Sequence, residues 1–155
     1  MDWVLWGVVF FSMMAGLSFG LYQRMKRKSR QIIEELQQGH GQDLRFVSGC
    51  GIVSGYNRVP GILALLQGRI LYRPLTFKRG GEIPLHSVIG LVSEDTQKTA
   101  YRRARKYRNA HVLVFRTDRG EEKIFVVQKD LTKAWEESLK NEGIRPEGDV
   151  IHSSA

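Results

Sequence analysis

Tyr101, Arg102, Arg103, Arg105, Lys106, Tyr107 and Arg108 crowd into the single run YRRARKYR, and they are the residues of this chain best suited to bind an anion. Five cations packed this closely repel one another, so the run does not serve stability, and its two tyrosines offer stacking or interfacial surfaces. Three readings are open: a solvated loop, a contact for anionic lipid headgroups or an acidic protein, and an RNA contact. A second cationic block, Arg24, Lys26, Arg27, Lys28 and Arg30, lies near the N-terminus. Net charge is +8, and these two blocks account for more than all of it. Positive charge is therefore local, unlike the broad basic face of most nucleic-acid binders.

Residues suited to catalysis or metal binding do not gather. His40, His86, His111 and His152 are scattered, with no pair at ligand spacing, and Cys50 is the only cysteine. A zinc or hydrolytic site needs several converging groups. No metal, cofactor or catalytic residue is expected, and the chain reads as a non-enzyme. A lone Cys50 excludes an intrachain disulfide and fits a reducing compartment, packed as a small apolar residue. The run Gly49-Cys50-Gly51-Ile52-Val53-Ser54-Gly55 imitates a phosphate loop but precedes no helix, so it reads as a flexible or bulged strand. Glu121 and Glu122 adjoin a turn and read as solvated.

The elements that must position the basic blocks begin with an uncharged run bounded by Trp3 and Tyr22, WVLWGVVFFSMMAGLSFGLY. About 20 helical residues span roughly 30 Å, the thickness of a hydrocarbon core. Trp3, Trp6 and Tyr22 fall near its ends, where amphipathic rings favour the interface. Gly16 and Gly20 form a small-xxx-small pair that another membrane helix could approach. A cleaved signal peptide would carry its cations before the apolar core, whereas here Asp2 precedes it and the basic block follows. By the positive-inside rule the N-terminus faces out and the rest lies in the cytoplasm. The juxtamembrane cations set this topology and are also placed to attract anionic lipid.

Met25, Ile32, Ile33 and Leu36 continue a helical stripe to Gln38, where Gly39, His40 and Gly41 break it. Short β runs follow from Leu44. GYNRVPG over 55–61 reads as a loop, Gln67-Gly68-Arg69 and Asp118-Arg119-Gly120 as hairpin turns, and Pro84 as an interruption. Residues 96–109 are too polar for a core strand. Leu131, Ala134, Trp135, Ser138 and Leu139 share one helical face, with Asp130 as N-cap and Gly143 and Pro146 as a stop. Six or seven short antiparallel strands and a tryptophan-bearing helix give a mainly β fold. Its bent sheet or small barrel is capped by that C-terminal helix through Leu131, Trp135 and Leu139, and preceded by one transmembrane helix.

GILALLQGRILYRP, IPLHSVIGLV, HVLVFRTDRGEEKIFVV and DLTKAWEESLK together resemble a pleckstrin-homology-like (PH-like) domain, nearest to the GRAM type and its bacterial relatives. The resemblance implies binding of lipid headgroups, peptides or proteins. It departs from inositide-binding members in offering only Arg58 in the loop after the first strand, which reads as an ordinary loop charge. The expected organisation is an anchor over 1–22, a basic juxtamembrane helix and linker over 23–43, the PH-like domain over 44–142 and a flexible tail over 143–155. The expected function is a single-pass, membrane-anchored binding or scaffolding module on the cytoplasmic face, an adaptor or accessory subunit of a membrane complex. The alternative is an anionic-lipid sensor working through residues 101–108. Tethering favours lipid or a membrane protein over nucleic acid as partner.

Overall fold

The computed structural model describes residues 2–55, 57–76, 79–96 and 107–147, the side chains of Asp2, Val4 and Leu5 excepted. One helix, α1 (Asp2–His40), leads into seven strands: β1 (Leu44–Ser54), β2 (Asn57–Leu66), β3 (Arg69–Pro74), β4 (Gly81–Pro84), β5 (Val88–Asp95), β6 (Ala110–Thr117) and β7 (Glu122–Gln128). A short helix, α2 (Thr132–Asn141), follows. The strands form one sheet in the order β4-β3-β2-β1-β7-β6-β5, with every pairing antiparallel. Two meanders are thus joined where β1 meets β7.

The β2 run GILALL is continuously apolar because both its faces are covered. Leu63 and Leu65 enter the main core with Ile70, Leu113, Phe115 and Phe125, while Ile62 and Ala64 on the opposite face meet Ile32 and Leu36 of α1. Alternation along β6 does the same: Leu113 and Phe115 point into the main core, and Val112 and Val114 join Val92 and Val126 in a separate cluster. From α2, Trp135 and Leu139 are fully buried in the main core and Leu131 packs against it half-buried. The Trp135 ring meets Phe46 edge-on at 5.0 Å, and its Nε1–H donates to Ser48 Oγ at 2.9 Å.

Several sequence expectations are corrected. The helix does not break at Gly39: one helix carries the uncharged run and the basic stretch through to His40. Among the described residues no helix is long and apolar enough to cross a membrane. Two strongly apolar members of the run, Val4 and Leu5, fall outside the described side chains, and beyond Tyr22 the helix turns polar. The expected loop over 55–61 is mostly strand. Pro60 is tolerated within β2 because its carbonyl faces Leu75, accepting that N–H at 2.8 Å. Its missing donor therefore points past the end of β3 and takes nothing from the pairing with β1. Asp130 is not the N-cap of α2. A 3-10 turn over Lys129–Leu131 leads in instead, and the Thr132 N–H is satisfied by the Lys129 carbonyl rather than by a side chain.

The stop at Gly143 holds: with φ at +87° it donates to the Lys140 carbonyl, and the next N–H, of Ile144, reaches back to Leu139 at 2.9 Å. This double closure needs a left-handed residue, which is why glycine stands there. Ile144 then packs on the main core, and Pro146 bridges to Leu91, so residues 143–147 are held. Residues 148–155 lie outside the described residues.

The lower half of α1 is fastened by burial. Leu36 is 1% exposed and Ile32 is 8% exposed. Leu36→Ala is expected to destabilise the domain by about 2–5 kcal/mol, the range for a buried leucine losing its side chain, as measured by chemical denaturation.

Candidate functional site

Gly49 and Gly51 alternate onto the outer face of β1, opposite the main core. The pairing register sets Gly51 against Pro60 and Val53 against Arg58. From there the Arg58 side chain lies back across the strand, directly over Gly51, where a Cβ would collide with the Arg58 Nε. Its guanidinium ends 4.4 Å from the centre of the Tyr107 ring, a cation–π contact. Tyr107 is fixed in turn: the buried Thr96 hydroxyl lies 2.6 Å from the Tyr107 carbonyl and 2.9 Å from that of Ala110. Gly51 and Tyr107 therefore hold Arg58 in one place. No carboxylate among the described residues pairs with it.

Arg58 forms part of the wall of a cleft of about 860 Å³. Tyr22 and Ser29 of α1 line one side; Gly49, Pro60, Leu75, Tyr107, Arg108, Asn109, Val126 and Gln128 are among the residues lining the other. The cleft is a wedge in that Ile32 and Leu36 are buried where the helix touches the sheet, whereas Tyr22, which lines the cleft, is 62% exposed. Among the described residues two arginines and no acidic residue line it.

Of the basic run, Tyr107 and Arg108 line this cleft, while Tyr101, Arg102, Arg103, Arg105 and Lys106 lie outside the described residues. Arg24, Lys26, Arg27 and Arg30 are exposed on the part of α1 that flanks it, with Lys28 half-buried. Trp3, Trp6 and Tyr22 are exposed, and nothing approaches the Cβ positions of Gly16 and Gly20.

Arg58 is a strand residue stacked on an aromatic ring, not the loop charge expected. The glycines at 49 and 51 do not bulge β1; its irregularity lies between Leu44 and Phe46. They clear a floor for an arginine. The available signal was a Gly-x-Gly strand followed across a tight turn by an arginine, legible only once the register is known.

Cys50 is buried on the inner face. Desolvation pushes its thiol up to about 12 despite the opposing pull of Arg58, so it stays protonated at neutral pH. Among the described residues no cluster of three His, Cys, Asp or Glu side chains could hold a metal ion. One polar group does assemble. Ser93 Oγ lies 2.8 Å from His111 Nε2 and donates to Glu136 Oε1 at 2.7 Å, tying β5 and β6 to α2. The serine proton points at the carboxylate, so His111 must donate to the hydroxyl from Nε2. Activation of a serine by histidine needs the opposite polarity.

Burial lowers the His111 pKa, with Glu136 and Asp95 pulling it back up. The unfolded chain therefore takes up this proton first, below an ordinary value of about 6.5. The stabilisation is complete above that pH and is lost as pH falls through the lower folded value. The thermal midpoint is expected to drop as pH falls below about 6.5, and His111→Gln should flatten that part of the profile.

No family model matches the chain, and no curated protein matches it. Among solved structures, the C-terminal domain of an unknown protein from Leishmania infantum is 14% identical, with 70% of this chain and 91% of that one covered and a TM-score of 0.51. The likeness is one of fold alone. Two slighter overlaps carry no argument. One is with the linker-DH/PH domains of p115-RhoGEF (15% identity, 64% and 28% coverage, TM-score 0.45), the other with an activated truncation of Vav1 (16%, 76% and 33%, TM-score 0.47). The fold is a curled antiparallel sheet with a C-terminal helix, PH-like in its element order.

Proposed function

We propose that this chain is a single-pass, membrane-anchored binding or scaffolding module that presents its PH-like domain to the cytoplasmic face, as an adaptor or accessory subunit of a membrane complex. The observation that carries this reading is the upper half of α1. Every residue from Trp6 to Tyr22 is exposed, including Phe10 at 65%, Phe11 at 79% and Phe19 at 64%. An apolar surface running all round a helix has no place in water, where exposed patches rarely exceed a few hundred Å². A bilayer is the solvent that suits it, and with Val4 and Leu5 included the uncharged run from Trp3 to Tyr22 has the length to span. The cations that follow hold the C-terminal side in the cytoplasm. No catalytic role is assigned to any residue.

Alkaline carbonate washing of membranes from cells making the full chain, with a reporter fused after Ala155, tests the anchor and its direction together. The chain should stay in the pellet with the reporter active only in the cytoplasm. Release into the wash, or a reporter active only outside, defeats the proposal. Repeated isolation of a bare monomer after crosslinking would defeat the adaptor role while leaving the anchor. The cationic cleft supports a second reading, an anionic-lipid sensor. Each cation near an anionic leaflet contributes about 1 kcal/mol, so the two basic blocks would draw the domain against it.

A further inference from the structure

We infer that the wedge between α1 and the outer face of the sheet is a binding site for the phosphate headgroup of an anionic phospholipid from the cytoplasmic leaflet, with Arg58 as its principal ligand. This rests on the reading of residues 3–22 as a membrane span. Tyr22, the last residue of the uncharged run, lines the open end of the wedge, and Ser29 lies deeper along the same wall. Seven residues of helix rise about 10 Å. The headgroup layer of one leaflet is roughly 5–8 Å thick, so the mouth of the wedge opens at headgroup depth rather than in bulk water.

Charge and shape agree with that occupant. Among the described residues Arg58 and Arg108 are the ionised members of the lining, with no carboxylate beside them there. Arg58 is already immobilised between Gly51 and the ring of Tyr107, so little side-chain freedom remains to be lost when its fork meets phosphate oxygens. Pro60, Leu75 and Val126 add apolar wall against which a glycerol backbone can lie. A headgroup entering from the bilayer keeps its acyl chains in lipid, which a soluble phosphate or an acidic peptide does not require of the site.

The test uses the full chain in nanodiscs of mixed phosphatidylcholine and phosphatidylglycerol, with retained lipids counted by native mass spectrometry. The wild type should retain phosphatidylglycerol over phosphatidylcholine by about tenfold, on the scale of one charge-assisted hydrogen bond. Arg58→Gln should abolish most of this preference, as should Gly51→Leu, which leaves the charge in place and evicts the arginine from its seat. Arg119→Ala, in the exposed turn between β6 and β7 and outside both the cleft and the basic blocks, should leave it unchanged. Should Gly51→Leu fail to fold, Arg58→Gln decides alone. A wild-type ratio in Arg58→Gln, no preference in the wild type, full displacement by glycerol 3-phosphate, or crosslinking of the wedge to a protein instead of lipid would each overturn the inference. Carbonate washing of the same variants separates the two readings. A chain that stays embedded but ignores Arg58 refutes the headgroup site alone, and one that washes off refutes the anchor beneath it.

Discussion

Trp135→Ala is expected to remove a large share of the domain's stability. The indole is fully buried, meets Phe46 edge-on and gives its only N–H to Ser48. Truncating such a residue costs about 3–5 kcal/mol, through lost transfer energy and the cavity left behind. A domain of this size has only about 5–15 kcal/mol in total, so the variant sits at or near the edge of stability. Thermal unfolding followed by circular dichroism should show a midpoint lowered by roughly 12–40 °C, at about 4–8 °C for each kcal/mol. Ser48→Ala separates packing from hydrogen bonding, because it keeps the ring and orphans a buried donor, at about 1–3 kcal/mol. Equal losses in the two variants would show that the role assigned to indole packing is wrong.

The second large effect belongs to α1. Phe10→Arg combined with Leu17→Arg is expected to move the chain from the carbonate-resistant membrane fraction to the soluble or aggregated fraction. Both positions lie in the uncharged run, exposed by 65% and 55%, with no protein partner to lose. Each arginine near the centre of a span disfavours insertion by about 2.5–3.5 kcal/mol, so the pair shifts the equilibrium by about 5–7 kcal/mol, or roughly four orders of magnitude. On a helix that merely projects into water the same changes would improve solubility and alter nothing else. Unchanged carbonate resistance would therefore remove the main support for the anchor.

The hairpin and helix signals were legible because local chemistry decides them. Gly68, Gly120 and Gly143 stand where a left-handed backbone is needed, and the heptad-like stripe of Ile32, Ile33 and Leu36 marks the buried face of α1. GYNRVPG misled because proline and two glycines usually signal a loop, whereas Pro60 sits where the neighbouring strand has ended. The start of α2 misled for a related reason: Asp130 is a good capping residue, but the preceding 3-10 turn had already satisfied the first amide. The cleft could not be read at all. Gly51, Arg58, Tyr107 and Tyr22 are far apart along the chain, and only the β1–β2 register and the docking of α1 bring them together.

The unbroken course of α1 makes the domain's stance a matter of mechanics. A flexible leash would let the sheet swivel and sample every bearing. A helix rigid from the apolar run to its seat on β2 behaves as a mast, fixing both height and heading. On the proposed anchor, the 18 residues from Gln23 to His40 put the end of the helix roughly 27 Å from the span, and that length sets the depth at which the domain meets a partner. Heading is set as strictly as depth, since one residue inserted above Ile32 would turn the whole domain by about 100° about the helix axis. Selection of a partner then begins with position, before any contact is made.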